Sequence, residues 1–163
     1  TILSNLMVAV CLSCLLLFPR SKAGQFFSSS VVATAIAVYI FIVGLVYNLA
    51  LRQIWSPTGW QVLVDNLLHE VVRLFYLIYW YFFARRGALH WQDLLKWLIF
   101  PAAYLAYSLI RGAMTGWYPY PFVHAGNLGY AKVALNSLAV LAAILVTGAV
   151  LMAVNNRSKV KQS

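Results

Sequence analysis

Five runs of about 20 mostly apolar residues, 1–18, 31–51, 61–83, 94–114 and 128–154, follow one another with short polar interruptions. A helical run of that length matches the hydrocarbon thickness of a bilayer, roughly 30 Å at 1.5 Å per residue. Lipid offers exposed peptide groups no partner, so each run has to bond its backbone within itself. The fold class this predicts is all-α: a polytopic transmembrane helical bundle with five spans in view. Charged residues make up only 9% of the chain and hydrophobic ones 63%. With a mean hydropathy of +0.81, that excludes a soluble domain, in which about a quarter of residues are charged.

The interruptions at 19–24, 53–59, 85–90 and 116–121 each contain Gly or Pro, which end helices for backbone reasons. No internal repeat or low-complexity tract divides the chain. Residues 1–163 therefore read as a single integral membrane domain closing in a basic tail, 155–163. The net charge of +9 does not indicate a nucleic-acid partner. Its Lys and Arg fall in short clusters between apolar runs, whereas a phosphate track needs a contiguous basic surface.

Those clusters set an orientation. Arg20 and Lys22, then Arg85, Arg86 and Lys96, then Arg157, Lys159 and Lys161 mark the cytoplasmic side. The second and fourth loops, nearly free of charge, lie on the other face together with Thr1. In that frame Thr1, Ser4, Asn5, Asp65, His69, Glu70, Arg111 and Lys132 share the outer half of the membrane. The chain has no initiator Met, and its first apolar run lacks the basic region of a signal peptide. Sequence preceding Thr1 is therefore expected.

The third run carries the residues hardest to place in lipid: Asp65, His69, Glu70 and Arg73. Each ionisable residue at mid-membrane costs on the order of 2.5–3.5 kcal/mol on insertion scales, so such residues face protein, find partners and mark functional sites. On a helix Asp65, Asn66, His69 and Arg73 form one stripe, with Glu70 in reach of Arg73. A His with a carboxylate four residues earlier has the parts of an oriented general base. The same residues read equally as a structural network, His69 with Asp65 and Glu70 with Arg73.

A base needs a nucleophile. The chain has no G-x-S-x-G elbow, and Cys11 and Cys14, a C-x-x-C pair without a cationic neighbour, read as small packing residues. The hydroxyls at outer depth are those of Thr1, Ser4, Ser108, Thr115, Tyr118 and Tyr120. Membrane Ser and Thr commonly bond the carbonyl of the preceding turn. His90 and His124 fall on opposite sides and cannot join His69 as a haem pair. Asp65, His69 and Glu70 alone do not converge as a zinc set, so neither metal nor cofactor is expected. In the run 111–122, the Trp and Tyr suit a headgroup layer, and Arg111 suits a carboxylate, a phosphate or the interface itself.

Three segments taken in order, Thr1-Ile2-Leu3-Ser4-Asn5-Leu6, Asp65-Asn66-Leu67-Leu68-His69 and Thr115-Gly116-Trp117-Tyr118-Pro119-Tyr120-Pro121-Phe122, resemble the androgen-induced, FAR-17a-like family of integral membrane proteins. The resemblance covers nearly the whole chain and has the look of the family's bacterial branch. Mammalian members are multi-span threonine hydrolases that cleave fatty acid esters of hydroxy fatty acids with one membrane-embedded Thr and one His. Matched motif to motif, those residues fall on Thr1 and His69. The resemblance also implies a span before Thr1, six spans in the full-length protein, and residence in the bacterial inner membrane.

The expected function is hydrolysis of a membrane lipid ester, with Thr1, His69 and Asp65 as the catalytic set. Asn5, Asn66, Arg111, Trp117 and Tyr118 form the candidate substrate-binding set: Asn5, Asn66 or Trp117 donating to an oxyanion, Arg111 holding a fatty carboxylate. The alternative is a non-enzymatic membrane protein that binds or carries a lipid or small molecule. A third possibility is a structural subunit docked on a larger complex. A Thr1 hydroxyl within about 4 Å of His69 would favour the first reading.

Overall fold

The computed structural model describes the backbone of residues 1–160 and the side chains of residues 1–157. Lys161 of the basic tail lies outside the described residues, as does the side chain of Lys159. Every regular element among the described residues is helical. First come α1 (Ile2–Leu17), α2 (Lys22–Ser28) and α3 (Ser30–Val46), which runs into a π turn at Tyr47–Leu51. Next, α4 (Trp60–Asn66), a second π turn (Leu67–Val71) and α5 (Val72–Phe83) make one continuous helical path. They are followed by α6 (Trp91–Trp97), α7 (Ile99–Thr115), a 3₁₀ turn (Pro121–Val123), α8 (Ala125–Leu128) and α9 (Tyr130–Val160).

Three of these stretches are long and apolar enough to cross a membrane: Ser30–Leu51, Trp91–Thr115 and Tyr130–Arg157. A fourth is added if α1 and α2, bent by 118°, are counted as one span. Three to four such helices point to a membrane protein. The five expected spans thus resolve into three or four on length and composition alone. Residues 61–83 are helical as anticipated, but Asp65, Glu70 and Arg73 load that helix with charge. The bend after α1 has local causes. Pro19 follows the last turn, and the Ser21 hydroxyl caps α2 by accepting the Gly24 N–H at 3.0 Å. Gly24 lies so close to the Phe18 carbonyl that a Cβ would collide with it.

The chain divides into two compact units, Thr1–Leu89 with the segment from Val150 onward, and His90–Ala149. In the first, α3 is the central helix, packed by both α1 and α5. Its core joins Val8 and Cys11 of α1, Ala33, Ile36, Ala37 and Ile40 of α3, and Tyr76 and Trp80 of α5. Lipid tails are as apolar as these side chains, so helices gain little by hiding from them. Close approach at small residues such as Ala33 and Ala37, and hydrogen bonds between helices, do more. Trp80 Nε1 donates to Thr34 Oγ1 at 3.0 Å, and Tyr76 donates to the Ala33 carbonyl at 3.3 Å. Cys11 is a buried free thiol 3.6 Å from the Tyr76 hydroxyl, and Cys14 is a half-buried free thiol.

The end of α9 closes this unit. Asn155 donates to the Gly87 carbonyl at 2.7 Å, and Asn156 binds both the N–H and the carbonyl of Leu89, at 3.2 and 3.1 Å. The helix continues through residues 155–160, and these two amides hold the 85–90 loop as a sheet edge would. Asn156→Ala leaves both peptide groups of Leu89 to find new partners. The expected loss is about 1–3 kcal/mol of stability, read as a lower unfolding midpoint in detergent, and an unchanged midpoint would contradict the clasp.

In the second unit, α6 begins at a reciprocal cap in which the His90 N–H donates to Asp93 Oδ2 at 3.0 Å. Lys96 donates to the other oxygen of Asp93 at 2.8 Å. The break between α6 and α7 at Leu98 follows from Pro101, which has no N–H to offer the carbonyl of Trp97 four residues back. Val123, Ala125 and Val133 form a small core against Leu105, Leu109, Tyr118 and Tyr120, and so seat the aromatic and proline-rich connection.

Candidate functional site

Two π turns lie at the candidate site, one carrying Tyr47 and the other His69. A π turn is rare because its wider i→i+5 bonding is poorer than the α pattern, and it concentrates at functional sites. In the second turn the Val72 N–H reaches back to Leu67, and the Leu68 carbonyl accepts the Asn5 side chain of α1 at 3.1 Å. The bulge thus supplies a carbonyl that ties α1 to this helix. Asn5 also donates to the Thr1 carbonyl at 3.0 Å.

Thr1 and His69, 68 positions apart, meet here. Thr1 Oγ1 lies 3.1 Å from His69 Nε2. The other ring nitrogen, Nδ1, lies 3.0 Å from the Asp65 backbone carbonyl and 3.2 Å from Asp65 Oδ1. Both neighbours of Nδ1 are acceptors, so the proton of the neutral ring is assigned to Nδ1. Nε2 is then the acceptor, and the Thr1 hydroxyl donates to it. Asp65 and His69 each retain only 11% side-chain exposure, which removes competing water from the pair.

Tyr47 completes this group. Its phenol donates to Asp65 Oδ2, and its ring stacks on the imidazole with centroids 3.9 Å apart and planes 13° from parallel. One carboxylate oxygen therefore faces His69 and the other is held by Tyr47. A second cluster adjoins it on the same two helices. Glu70 accepts from Asn48 at 2.7 Å and pairs with Arg73. Asn48 also donates to the Gly44 carbonyl at 2.9 Å and accepts from Arg52 at 3.0 Å. The Arg73 guanidinium lies against Gly44, where a Cβ would strike it. Arg73 and Asn48 thus hold the two oxygens of Glu70, so the carboxylate on this helix has both a counter-charge and a hydrogen-bond donor.

The remaining candidate residues are placed as follows. Both N–H groups of Asn5 are committed to carbonyls, and its Oδ1 is buried without a hydrogen-bond partner among the described residues. Asn66 is exposed and turns to a shallow surface hollow with Gly59, Trp60, Val62 and Leu63. Arg111, Trp117 and Tyr118 belong to the second unit. There Arg111 stacks over the Trp117 ring at 4.3 Å and donates to the Tyr107 hydroxyl at 3.4 Å. Tyr118 packs against Gly112 and the His124 ring. Ser108 and Thr115 donate to carbonyls one turn back, each at 2.8 Å.

Sequence reasoning missed Tyr47, Asn48, Gly44 and Arg52. Their signal was present as a Tyr-Asn pair, three residues after a Gly, at the end of an otherwise apolar run. What hid them was the absence of any clue to which helix faces α4 and α5. No protein-family model, curated protein or solved structure matches this chain.

Proposed function

We propose that this protein is a membrane-embedded hydrolase of lipid esters, with Thr1 as nucleophile, His69 as general base and Asp65 as the residue that orients it. The observation carrying the proposal is the 3.1 Å contact of Thr1 Oγ1 with Nε2 of a histidine whose other nitrogen is held by Asp65. A threonine hydroxyl is a weak nucleophile until an adjacent base takes its proton, and a base whose proton-bearing nitrogen is fixed presents its lone pair to it. The resemblance of residues 1–6, 65–69 and 115–122 to the androgen-induced family implies the same two residues for the same chemistry.

His69 Nε2 takes the hydroxyl proton as Thr1 Oγ1 bonds to the ester carbonyl carbon. The tetrahedral intermediate expels the alcohol, which leaves with that proton, and the acyl group stays on Thr1. Water then attacks the acyl-threonine, giving a proton to Nε2, and the departing Thr1 oxygen takes it back as the fatty acid is released. Asp65 takes no part in the proton transfers and, through Nδ1, stabilises the transient imidazolium.

In this reading the helix from Trp60 to Phe83 is a further span, tolerated because Glu70 pairs with Arg73 and Asp65 is held by His69 and Tyr47. The site opens at the outer leaflet of a bacterial inner membrane, with the C-terminus cytoplasmic. Exposed apolar side chains beside the site, Ile2, Leu3 and Leu6 on α1 and Leu63, Val64 and Leu67 on the facing helix, suit an acyl chain arriving from lipid. The test is fatty-acid release from acyl esters in liposomes carrying the full-length protein. Thr1→Ala is expected to reduce release to the protein-free rate and Thr1→Ser to retain it; release unaffected by Thr1→Ala would overturn the proposal.

A further inference from the structure

Tyr47 touches both members of the His69–Asp65 pair, and it does so from a different helix. Its phenol holds the carboxylate oxygen that His69 does not use, and its ring covers one face of the imidazole at 3.9 Å. Tyr47 is itself only 7% exposed and opens the π turn that ends α3. A carboxylate bonded through one oxygen alone can rotate about its Cβ–Cγ bond and carry its partner with it. Bonded through both, it is fixed in plane, and the stacked phenol removes the remaining tilt of the imidazole. The two π turns give this arrangement its geometry, one aiming Tyr47 and the other His69.

We infer that Tyr47 is a positioning residue: through Asp65, and by stacking on the ring, it holds the His69 imidazole with Nε2 aimed at Thr1. Its hydroxyl bonds the Asp65 carboxylate, so it acts on the chemistry only through that carboxylate and through the face of the imidazole. Its catalytic consequence rests on the hydrolase reading, but its effect on His69 does not, and the two are measured separately.

The experiment is proton NMR of the full-length protein in micelles with ¹⁵N-labelled histidine, His69→Ala assigning the resonance. The Nδ1–H of His69 is expected as a slowly exchanging signal. Tyr47→Phe, which loses one oxygen and keeps the ring, is expected to speed its exchange with water on the order of tenfold, the worth of one hydrogen bond to a charged group. Because Tyr47 acts through Asp65, Tyr47→Phe added to Asp65→Asn brings little further change, whereas a packing role would give additive effects. Site-specific 3-fluorotyrosine at 47 preserves packing, sharpens the hydroxyl as a donor and shifts the same resonance. Tyr76→Phe, which removes another buried phenol of this unit, leaves the signal in place. Exchange in Tyr47→Phe within about twofold of the unsubstituted protein overturns the inference, as does a His69 Nδ1–H that already exchanges too fast to detect. Ester hydrolysis in the same samples decides the other question: a slow, Tyr47-dependent Nδ1–H without hydrolysis sustains Tyr47 and removes the hydrolase reading. With hydrolysis present, Tyr47→Phe is expected to lower kcat and leave KM unmoved.

Discussion

His69→Ala is expected to lower kcat for acyl-ester hydrolysis by about 10²–10⁴-fold, the usual worth of a positioned general base, while leaving KM within a few-fold. The split follows from position. His69 meets Thr1 through Nε2 and Asp65 through Nδ1, so its removal costs proton transfer and leaves the apolar approach to the site intact. Thr1→Ala, which removes the nucleophile, is expected to fall to the protein-free rate, and the double variant no further, because two residues acting as one unit are not additive. Asp65→Asn should fall less than either, since Nδ1 keeps the Asp65 backbone carbonyl as an acceptor. Steady-state kinetics on the reconstituted full-length protein checks all four. A His69→Ala variant with wild-type kcat would remove His69 from the chemistry.

The second large effect concerns stability. Arg73→Met leaves Glu70 with its Asn48 bond but without its counter-charge. The Arg73 and Glu70 side chains retain 18% and 28% exposure, and removing one partner of a mostly buried ion pair costs about 3–5 kcal/mol because the other charge remains. The double variant Glu70→Gln/Arg73→Met removes both charges and keeps the acceptor for Asn48, so most of that loss should return. Hydrolysis by the folded double variant should survive, as Glu70 bonds Asn48 and Arg73 while the base is held by Asp65. Equilibrium unfolding in mixed micelles gives the comparison. Equal destabilisation in single and double variants would mean that the two side chains act by packing rather than as a charge pair.

How much of this could be read from the chain varies with the range of the interaction. Helices over 31–51, 94–114 and 128–154 follow from apolar length alone, a local property, and helices at those places are long enough to span. The bend after Leu17 needed the contact of Gly24 with Phe18, which no periodicity records. The Asp65–His69 pair was legible because i and i+4 share a face on any helix, and so was Glu70 with Arg73. That Thr1 reaches His69 was suggested only by matched depth and by resemblance, since a contact across 68 positions depends on which helix faces pack. Asn155 and Asn156 read as the start of a polar tail, yet they are helical and bind the 85–90 loop. The π turns were illegible for a similar reason: one residue added to a helical turn leaves the hydrophobic pattern almost unchanged.

In the proposed mechanism the Thr1 hydroxyl is the group that His69 activates. The direct measurement is mass-spectrometric mapping of the adduct formed when full-length protein in native membranes reacts with an alkyl phosphonate directed at serine and threonine hydrolases. One adduct is expected, on Thr1, absent from Thr1→Ala and slowed at least about a hundredfold in His69→Ala. An adduct on any other residue, or labelling of Thr1 at an undiminished rate in His69→Ala, would contradict it.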